Sequence, residues 1–157
     1  MKALYISGLV VLLDQLSKEL VRSGMELYSS INILGNLLRF TYVENSGIAF
    51  GISVGQTLPI FTILSIFASV IIFIYLYKER FNALLPRAAL ALIFGGAIGN
   101  IIDRILFGKV VDFIDVGIGV HRFYIFNVAD SAVTVGVTLY LIMSILFAPQ
   151  RLDLAEE

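Results

Sequence analysis

The sequence places acidic, amide and basic side chains at the ends of its apolar stretches and in the long connections between them. These residues are Asp14, Lys18, Asn45, Asn100, Asp103, Arg104, Asp112, Asn127 and Asp130. Ionisable side chains at membrane depth are costly to bury, so they usually pair with one another and face a protein interior or a watery cavity. If the chain brings these residues together, they form a polar site in an otherwise apolar protein.

Two of the carboxylates, Asp112 and Asp130, are suited to acid/base hydrolysis of a peptide. Two carboxylates in a low-dielectric site cannot both ionise cheaply, so one keeps its proton. The charged member can deprotonate a water while the protonated member polarises the scissile carbonyl. This chemistry requires no metal, cofactor or covalent nucleophile, and we expect none. Ion-pair scaffolding and a cation pathway are alternative uses of the same carboxylates.

Asp112 and Asp130 reach a common site only if the chain turns back between them. On one continuous helix their separation of eighteen residues corresponds to about 27 Å, which is too far for shared chemistry. Gly117 and Gly119 follow Asp112 and make a reversal easy. The sequence therefore allows the pair to form through a returning loop.

The other unusual residues favour structural roles. Asp14 and Lys18 stand at i and i+4 with the acid nearer the N-terminus, an order that favours an ion pair on one helix face. Ser17 adjoins Lys18, but neighbours on a helix do not face each other, which disfavours a Ser/Lys nucleophile. Glycines 95, 96 and 99 are typical of close helix packing. His121 is expected at the surface, without a catalytic role.

Composition excludes several classes of protein. Hydrophobic residues make up 59% and charged residues 15% of the chain, whereas a soluble domain is about 45–50% apolar. A net charge of -1 gives no electrostatic footprint for nucleic acid. The chain has no cysteine and one histidine, so it has neither a disulfide framework nor the usual ligands of a zinc site.

The apolar stretches predict a single all-α membrane domain over residues 1–157, with four transmembrane helices and a small β-sheet. We expect helices at about 3–22, 57–77, 84–103 and 127–148, and long connections at about 23–56 and 104–126. The first apolar stretch is short enough to resemble a signal peptide, but no small-residue cleavage site follows it. Alternation on both sides of Gly35 and Asn36 predicts a β-hairpin in the first connection.

The basic residues do not fix the orientation of such a protein. Cytoplasmic loops usually carry an excess of Lys and Arg, yet here five lie on each side of the predicted bundle. One side has Lys2, Lys78, Arg80, Arg87 and Arg151, and the other has Arg22, Arg39, Arg104, Lys109 and Arg122.

Several motifs in a fixed order make the sequence resemble the lipoprotein signal peptidase family, also called signal peptidase II. Each motif alone is weak, but their order along most of the chain is specific. The motifs are Asp14-Gln-Leu-Ser-Lys18, Asn45-Ser-Gly-Ile-Ala-Phe50, Gly95-Gly-Ala-Ile-Gly-Asn-Ile-Ile-Asp-Arg104, Val110-Val-Asp-Phe113 and Phe126-Asn-Val-Ala-Asp-Ser131.

The resemblance implies that Asp112 and Asp130 are a catalytic aspartate pair. It also suggests supporting or substrate-binding roles for Asp14, Lys18, Asn45, Asn100, Arg104 and Asn127. Asp103 and Asp115 match acidic positions next to the motifs but receive no role from the resemblance.

By the same resemblance, the substrate is a diacylglyceryl-modified bacterial prolipoprotein, cut just before its lipidated cysteine. The expected location is the bacterial cytoplasmic (inner) membrane, with the β-sheet, long connections and active site on the extracytoplasmic face. We expect contact with membrane lipid, a monomer, and no nucleic-acid partner. The competing hypotheses are a small transporter or proton-conducting bundle that uses Asp14, Lys18 and Asp130, and a structural subunit without chemistry. No role is inferred for the acidic tail at residues 153–157.

Overall fold

Long helices make up most of the chain in a computed structural model, which describes residues 2–46, 58–81 and 83–146. The helices are α1 (Leu4–Gly24), α2 (Leu58–Lys78), α3 (Leu84–Phe107) and α4 (Val128–Leu146). The strands are β1 (Ser30–Leu34), β2 (Leu38–Asn45), β3 (Val110–Ile118) and β4 (His121–Arg122). A short 3₁₀ turn, Glu79–Phe81, follows α2. Residues 47–50 of the second motif and the acidic tail lie outside the described residues.

Three helical segments in the described part of the chain are long and apolar enough to cross a membrane. They are Thr62–Phe81, Leu84–Phe107 and Val128–Leu146. Helix α1 is as long as α2, with 21 residues, but its second half carries charged side chains. The prediction of a mostly helical chain with membrane-spanning candidates and a small antiparallel sheet is confirmed.

Small residues let α3 approach α1 and α4 closely. A Cβ atom at Gly95 would lie 2.9 Å from the Cα of Ser7 on α1, and a Cβ at Gly96 would clash with the carbonyl oxygen of Ala129 on α4. Farther along the same interface, a Cβ at Gly136 would lie 2.7 Å from the Ala89 carbonyl oxygen. The predicted packing role of the α3 glycines is confirmed.

The sheet is antiparallel, with strand order β1-β2-β3-β4. The predicted hairpin forms between β1 and β2, with Gly35 at φ 51. In the β2–β3 ladder, Val43 lies opposite Asp112. This ladder brings the end of the first connection beside the second.

The second connection, expected as a loop at about 104–126, contains two strands instead. The segment forms β3 and β4. Strand β3 forms because β2, β4 and the residues before α4 all pair with it. Val110 to Phe113 are all buried, so this strand lacks the alternation that would have predicted it. The chain reversal expected at the glycines does occur, since Gly119 adopts φ 60 between β3 and β4.

Two apolar clusters hold the helices and the sheet together. One lies at the start of α1 and contains Ala3, Leu76, Leu90 and Ala91. The other joins the end of α1 to the sheet and contains Val21, Tyr42, Val111 and Phe113. The polar residues singled out in the sequence lie between these clusters.

Candidate active site

The end of α1 contributes a buried ion-pair cluster. The ammonium group of Lys18 lies 2.8 Å from Asp14 Oδ2 and 3.2 Å from Asp103 Oδ2, and all three side chains are 0% exposed. The predicted pair between Asp14 and Lys18 is therefore confirmed. Asp14 also accepts a 2.9 Å hydrogen bond from the backbone N–H of Ala129, which ties α1 to the first turn of α4. Ser17 donates to the Asp14 carbonyl and is turned away from Lys18, as expected.

Asn100 connects this cluster to Asp130. Its carboxamide oxygen accepts a 2.9 Å hydrogen bond from Lys18. Since an ammonium group only donates, Lys18 orients the amide so that its nitrogen points the other way. That nitrogen donates to Asp130 Oδ1 at 2.7 Å. A lysine on α1 thus sets which end of Asn100 faces the carboxylate on α4.

Asn127 caps α4 and reaches the second carboxylate. Its side-chain oxygen accepts from the Asp130 backbone N–H at 2.9 Å, and Asp130 Oδ2 accepts from the Asn127 backbone N–H at 3.3 Å. This reciprocal pairing follows the pattern of a capping box. The amide nitrogen of Asn127 then donates to Asp112 Oδ1 at 2.6 Å. One fully buried residue therefore contacts both carboxylates.

Asp112 lies on β3 with 3% of its surface exposed. Besides the bond from Asn127, its Oδ2 accepts a 3.0 Å hydrogen bond from Asn45 on the neighbouring strand β2. Burial raises the pKa of the Asp112 carboxyl to about 6, the two amide donors oppose this shift, and the charge of Asp130 adds to it. Asp112 therefore binds a proton more readily than an ordinary aspartate.

Arg104 lies near the two carboxylates, and in the described part of the chain it forms no ion pair with either. Its guanidinium donates to Ser65 Oγ on α2 at 3.4 Å, and it interacts electrostatically with Asp130 and Asp112. The side chain is half-buried. It supplies positive charge to the site while being held from α2.

A cavity of about 450 Å³ opens onto Asp112. Its walls come from the end of β2 and from the segment between β4 and α4. The lining residues are Val43, Glu44, Asn45, Ser46, Asp112, Phe123, Tyr124 and Ile125. A larger cavity of about 570 Å³, between Leu37 and the β3–β4 turn, contains none of the predicted site residues.

Two side chains at this site, Gln15 and Asp103, were not assigned from the sequence. Gln15 donates to Asp14 Oδ2, to the Gly99 carbonyl and to Asp103 Oδ1 at 3.1–3.2 Å. Asp103 also accepts from the backbone of β3. Asp103 stands three residues after Asn100 on α3, and this spacing on one helix face was a signal that could have identified it.

Other charged residues lie apart from the two carboxylates. Asp115 pairs with Arg122 at 2.8 Å within the sheet, and Lys109 pairs with Glu44 at 2.9 Å nearer the surface. His121 is exposed, as expected. The proton-pathway hypothesis requires charged groups along the bundle, yet the only charged residue of α2 is Lys78 at its end and the only one of α4 is Asp130 at its start.

Comparison with known proteins gives concordant matches over most of the chain. The family model described as signal peptidase (SPase) II matches residues 6–147. The lipoprotein signal peptidase of Syntrophus aciditrophicus is 40% identical over 147 residues, which cover 91% of each chain. The lipoprotein signal peptidase of Halalkalibacterium halodurans is 47% identical over 142 residues, which cover 90% of each chain. A solved bacterial membrane enzyme superposes with a TM-score of 0.77 and 36% identity, covering 92% of each chain.

Proposed function

The chain belongs to the signal peptidase II family, aspartic peptidases that remove signal peptides from prolipoproteins, and from this premise we propose that Asp112 and Asp130 are its catalytic pair. The observation that carries the proposal is their shared contact with Asn127. Within residues 2–46, 58–81 and 83–146 neither carboxylate forms an ion pair, and amide groups donate to both. Amides position a carboxylate while leaving it able to gain and lose a proton.

The surroundings of the two carboxylates support different roles. Asp112 is on a strand, is almost fully buried, and has its pKa raised to about 6 by that burial. Asp130 is in the first turn of α4, where the helix dipole favours negative charge. We assign Asp112 as the member that holds the shared proton when substrate is bound and Asp130 as the charged member. A bound peptide that excludes water from the cavity favours the neutral form of Asp112 further.

These roles give a balanced hydrolysis. Asp130 removes a proton from a water as the water oxygen bonds to the scissile carbonyl carbon, while Asp112 gives its proton to the carbonyl oxygen. The tetrahedral diol then collapses. Asp130 passes its proton to the leaving nitrogen as the C–N bond breaks, and Asp112 recovers a proton from the diol. Each carboxyl ends in its starting state.

The remaining predicted site residues act in support. Asn45 and Asn127 hold Asp112, and Asn100 holds Asp130. Asp14 and Lys18 brace α1 against α3 and α4. Arg104 places a positive charge near the pair, whose two carboxyls together carry one negative charge in this scheme.

The proposed substrate is a diacylglyceryl-modified prolipoprotein cut before its lipidated cysteine, and the proposed setting is the bacterial inner membrane. Helix α1 serves as the fourth span, since 21 residues reach about 30 Å and its innermost charges are paired and buried. The site then faces the extracytoplasmic side, with both termini cytoplasmic. A lipid-anchored cysteine brings the scissile bond to the membrane surface. A monomer of the peptidase in contact with membrane lipid is sufficient for cleavage there.

Cleavage of purified precursors in detergent micelles tests this assignment. Asp112→Asn and Asp130→Asn are each expected to abolish cleavage of the diacylglyceryl-modified precursor, and unlipidated precursor is expected to stay uncut by the unaltered protein. Asp115→Asn is the matched control, since Asp115 lies on the same strand as Asp112 but pairs with Arg122 in the sheet. It should retain cleavage. Normal cleavage by either dyad variant contradicts the proposal.

A further inference from the structure

Asp103 is a fully buried carboxylate to which the proposed chemistry gives no part. It lies in the last turns of α3, just before the chain reverses at Gly108, where φ is 71. Strand β3 begins directly after this turn, at Val110. Asp103 therefore sits at the junction between a membrane-spanning helix and the strand that carries Asp112.

The Asp103 carboxylate is held in place from α1. Lys18 lies 3.2 Å from its Oδ2, and Gln15 donates to its Oδ1 at 3.2 Å. The Arg22 guanidinium lies 3.8 Å from Oδ1 and stacks on the Phe107 ring at 4.0 Å. With these donors on one side, the orientation of the carboxylate is fixed.

The same carboxylate holds the backbone of β3. Asp103 Oδ2 accepts the Val111 backbone N–H at 3.1 Å in a buried hydrogen bond. The carbonyl oxygen of Val111 in turn accepts from the Asn127 side chain at 3.3 Å. Residue 111 is thus held by its N–H from α3 and by its C=O from the start of α4. Its neighbour on the strand is Asp112.

We propose that Asp103 is a positioning residue, which places Asp112 for catalysis by holding the Val111 N–H. This inference rests on the assignment of Asp112 to the catalytic pair. Asp103 acts through the backbone, since its partners among the described residues are on α1 and at Val111 and include neither member of the pair. A shift of a reacting group by about an ångström costs roughly 100-fold in rate, so loss of this anchor slows turnover.

The test compares Asp103→Ala with Asp103→Asn in the full-length protein in micelles. Alanine removes the acceptor, whereas asparagine keeps one oxygen that can accept the Val111 N–H. We expect Asp103→Ala to lower kcat by about 100-fold while KM for the lipidated precursor stays unchanged. Asp103→Asn should restore most of this loss. Hydrogen exchange at the Val111 amide should accelerate in the alanine variant and stay slow in the asparagine variant.

Equal losses of kcat in the two variants overturn the proposal, because the negative charge would then matter rather than the acceptor for Val111. Unchanged kcat in Asp103→Ala overturns it as well. If the alanine variant does not fold, Asp103→Asn decides alone: near-normal kcat with slow exchange at Val111 supports the anchor, and a large loss of kcat with unchanged exchange contradicts it.

Failure of the catalytic assignment gives a different pattern. In that case Asp112→Asn and Asp130→Asn cleave normally, whatever the Asp103 variants do. Exchange at the Val111 amide does not depend on catalysis, so it reports on the anchor separately from the dyad.

Discussion

Two groups of carboxylates lie side by side in this protein, and their hydrogen-bonding partners differ. The α1–α3 cluster, formed by Asp14, Lys18 and Asp103, shares one ammonium group between two acids at 2.8 and 3.2 Å. The carboxylate pair, Asp112 and Asp130, is held by amide donors at 2.6–3.0 Å. A neighbouring cation favours the charged form of an acid, whereas amides position it and leave its proton mobile. The ion-paired cluster is therefore suited to a structural role, and the carboxylate pair is suited to catalysis.

Removing the cation of the cluster should produce the largest effect on stability. Lys18→Met leaves Asp14 and Asp103 buried without their shared partner, and breaking a buried pair in this way costs about 3–5 kcal/mol. Thermal unfolding in micelles measures the loss. The double variant Asp14→Asn/Lys18→Met removes one negative charge together with the positive charge. It should therefore be less destabilised than Lys18→Met. If Lys18→Met is as stable as the unaltered protein, the cluster is not the scaffold.

Crowding the two ends of the α3 interface distinguishes the regions by activity. A Cβ at Gly99 would lie 2.5 Å from Asp14 Oδ2, and one at Gly136 would lie 2.7 Å from the Ala89 carbonyl oxygen at the apolar end. Overpacking of this kind costs about 1–3 kcal/mol, so Gly99→Ala and Gly136→Ala should lower the melting temperature similarly. Only Gly99→Ala should also lower cleavage per folded molecule. Equal activity losses would show that the polar end has no special role.

Asn127 contacts both members of the pair and also Asn100, and Asn127→Ser tests these contacts. Serine is a good N-cap, so α4 should keep its start, but the donors to Asp112 and Asn100 are lost. Hydrogen bonds to charged groups contribute about 1.5–3 kcal/mol, and we expect a comparable rise in the barrier to cleavage, with little change in melting temperature. Initial rates and unfolding curves measured on the same preparation check this. A stable, fully active variant would contradict the shared-contact argument.

The last comparison concerns pH and the Asp112 carboxyl. Its folded pKa of about 6 lies above the ordinary value of 3.8, so the folded protein keeps a proton that the unfolded chain releases. This contribution favours folding at low pH, fades as pH rises between these values, and becomes a cost above them. Asp112→Asn removes that cost. The difference in melting temperature, Asp112→Asn minus the unaltered protein, should be more positive at about pH 8 than at about pH 4. A difference that does not change with pH would contradict the raised pKa of Asp112.

Local patterns in the sequence predicted the helices, the first hairpin and the Asp14–Lys18 pair. Continuous apolar length gives a spanning helix, and a spacing of four residues gives a pair on one helix face. These features depend on residues close together in the chain. The ordered motifs supplied the proposed site residues by resemblance, and the structure brings those side chains into one connected region.

Strand β3 and the bond between Asp103 and Val111 depend on distant parts of the chain, so no local pattern revealed them. The start of β3 is buried on both faces and does not alternate. The bond from Val111 to Asp103 forms only after the turn at Gly108 folds the chain back. Arg104 likewise meets Ser65 only through the packing of α2 on α3. Sequence spacing does not encode such contacts.

The cap formed by Asn127 has a consequence for biosynthesis. The first turn of α4 supplies both Asp130 and the amide that holds Asp112, and α4 is the last helix in the described chain. A growing chain that has inserted only the earlier helices carries Asp112 without its partner. Under the proposed mechanism it cannot hydrolyse a peptide, so the order of synthesis itself keeps the peptidase inactive until its final helix is in place.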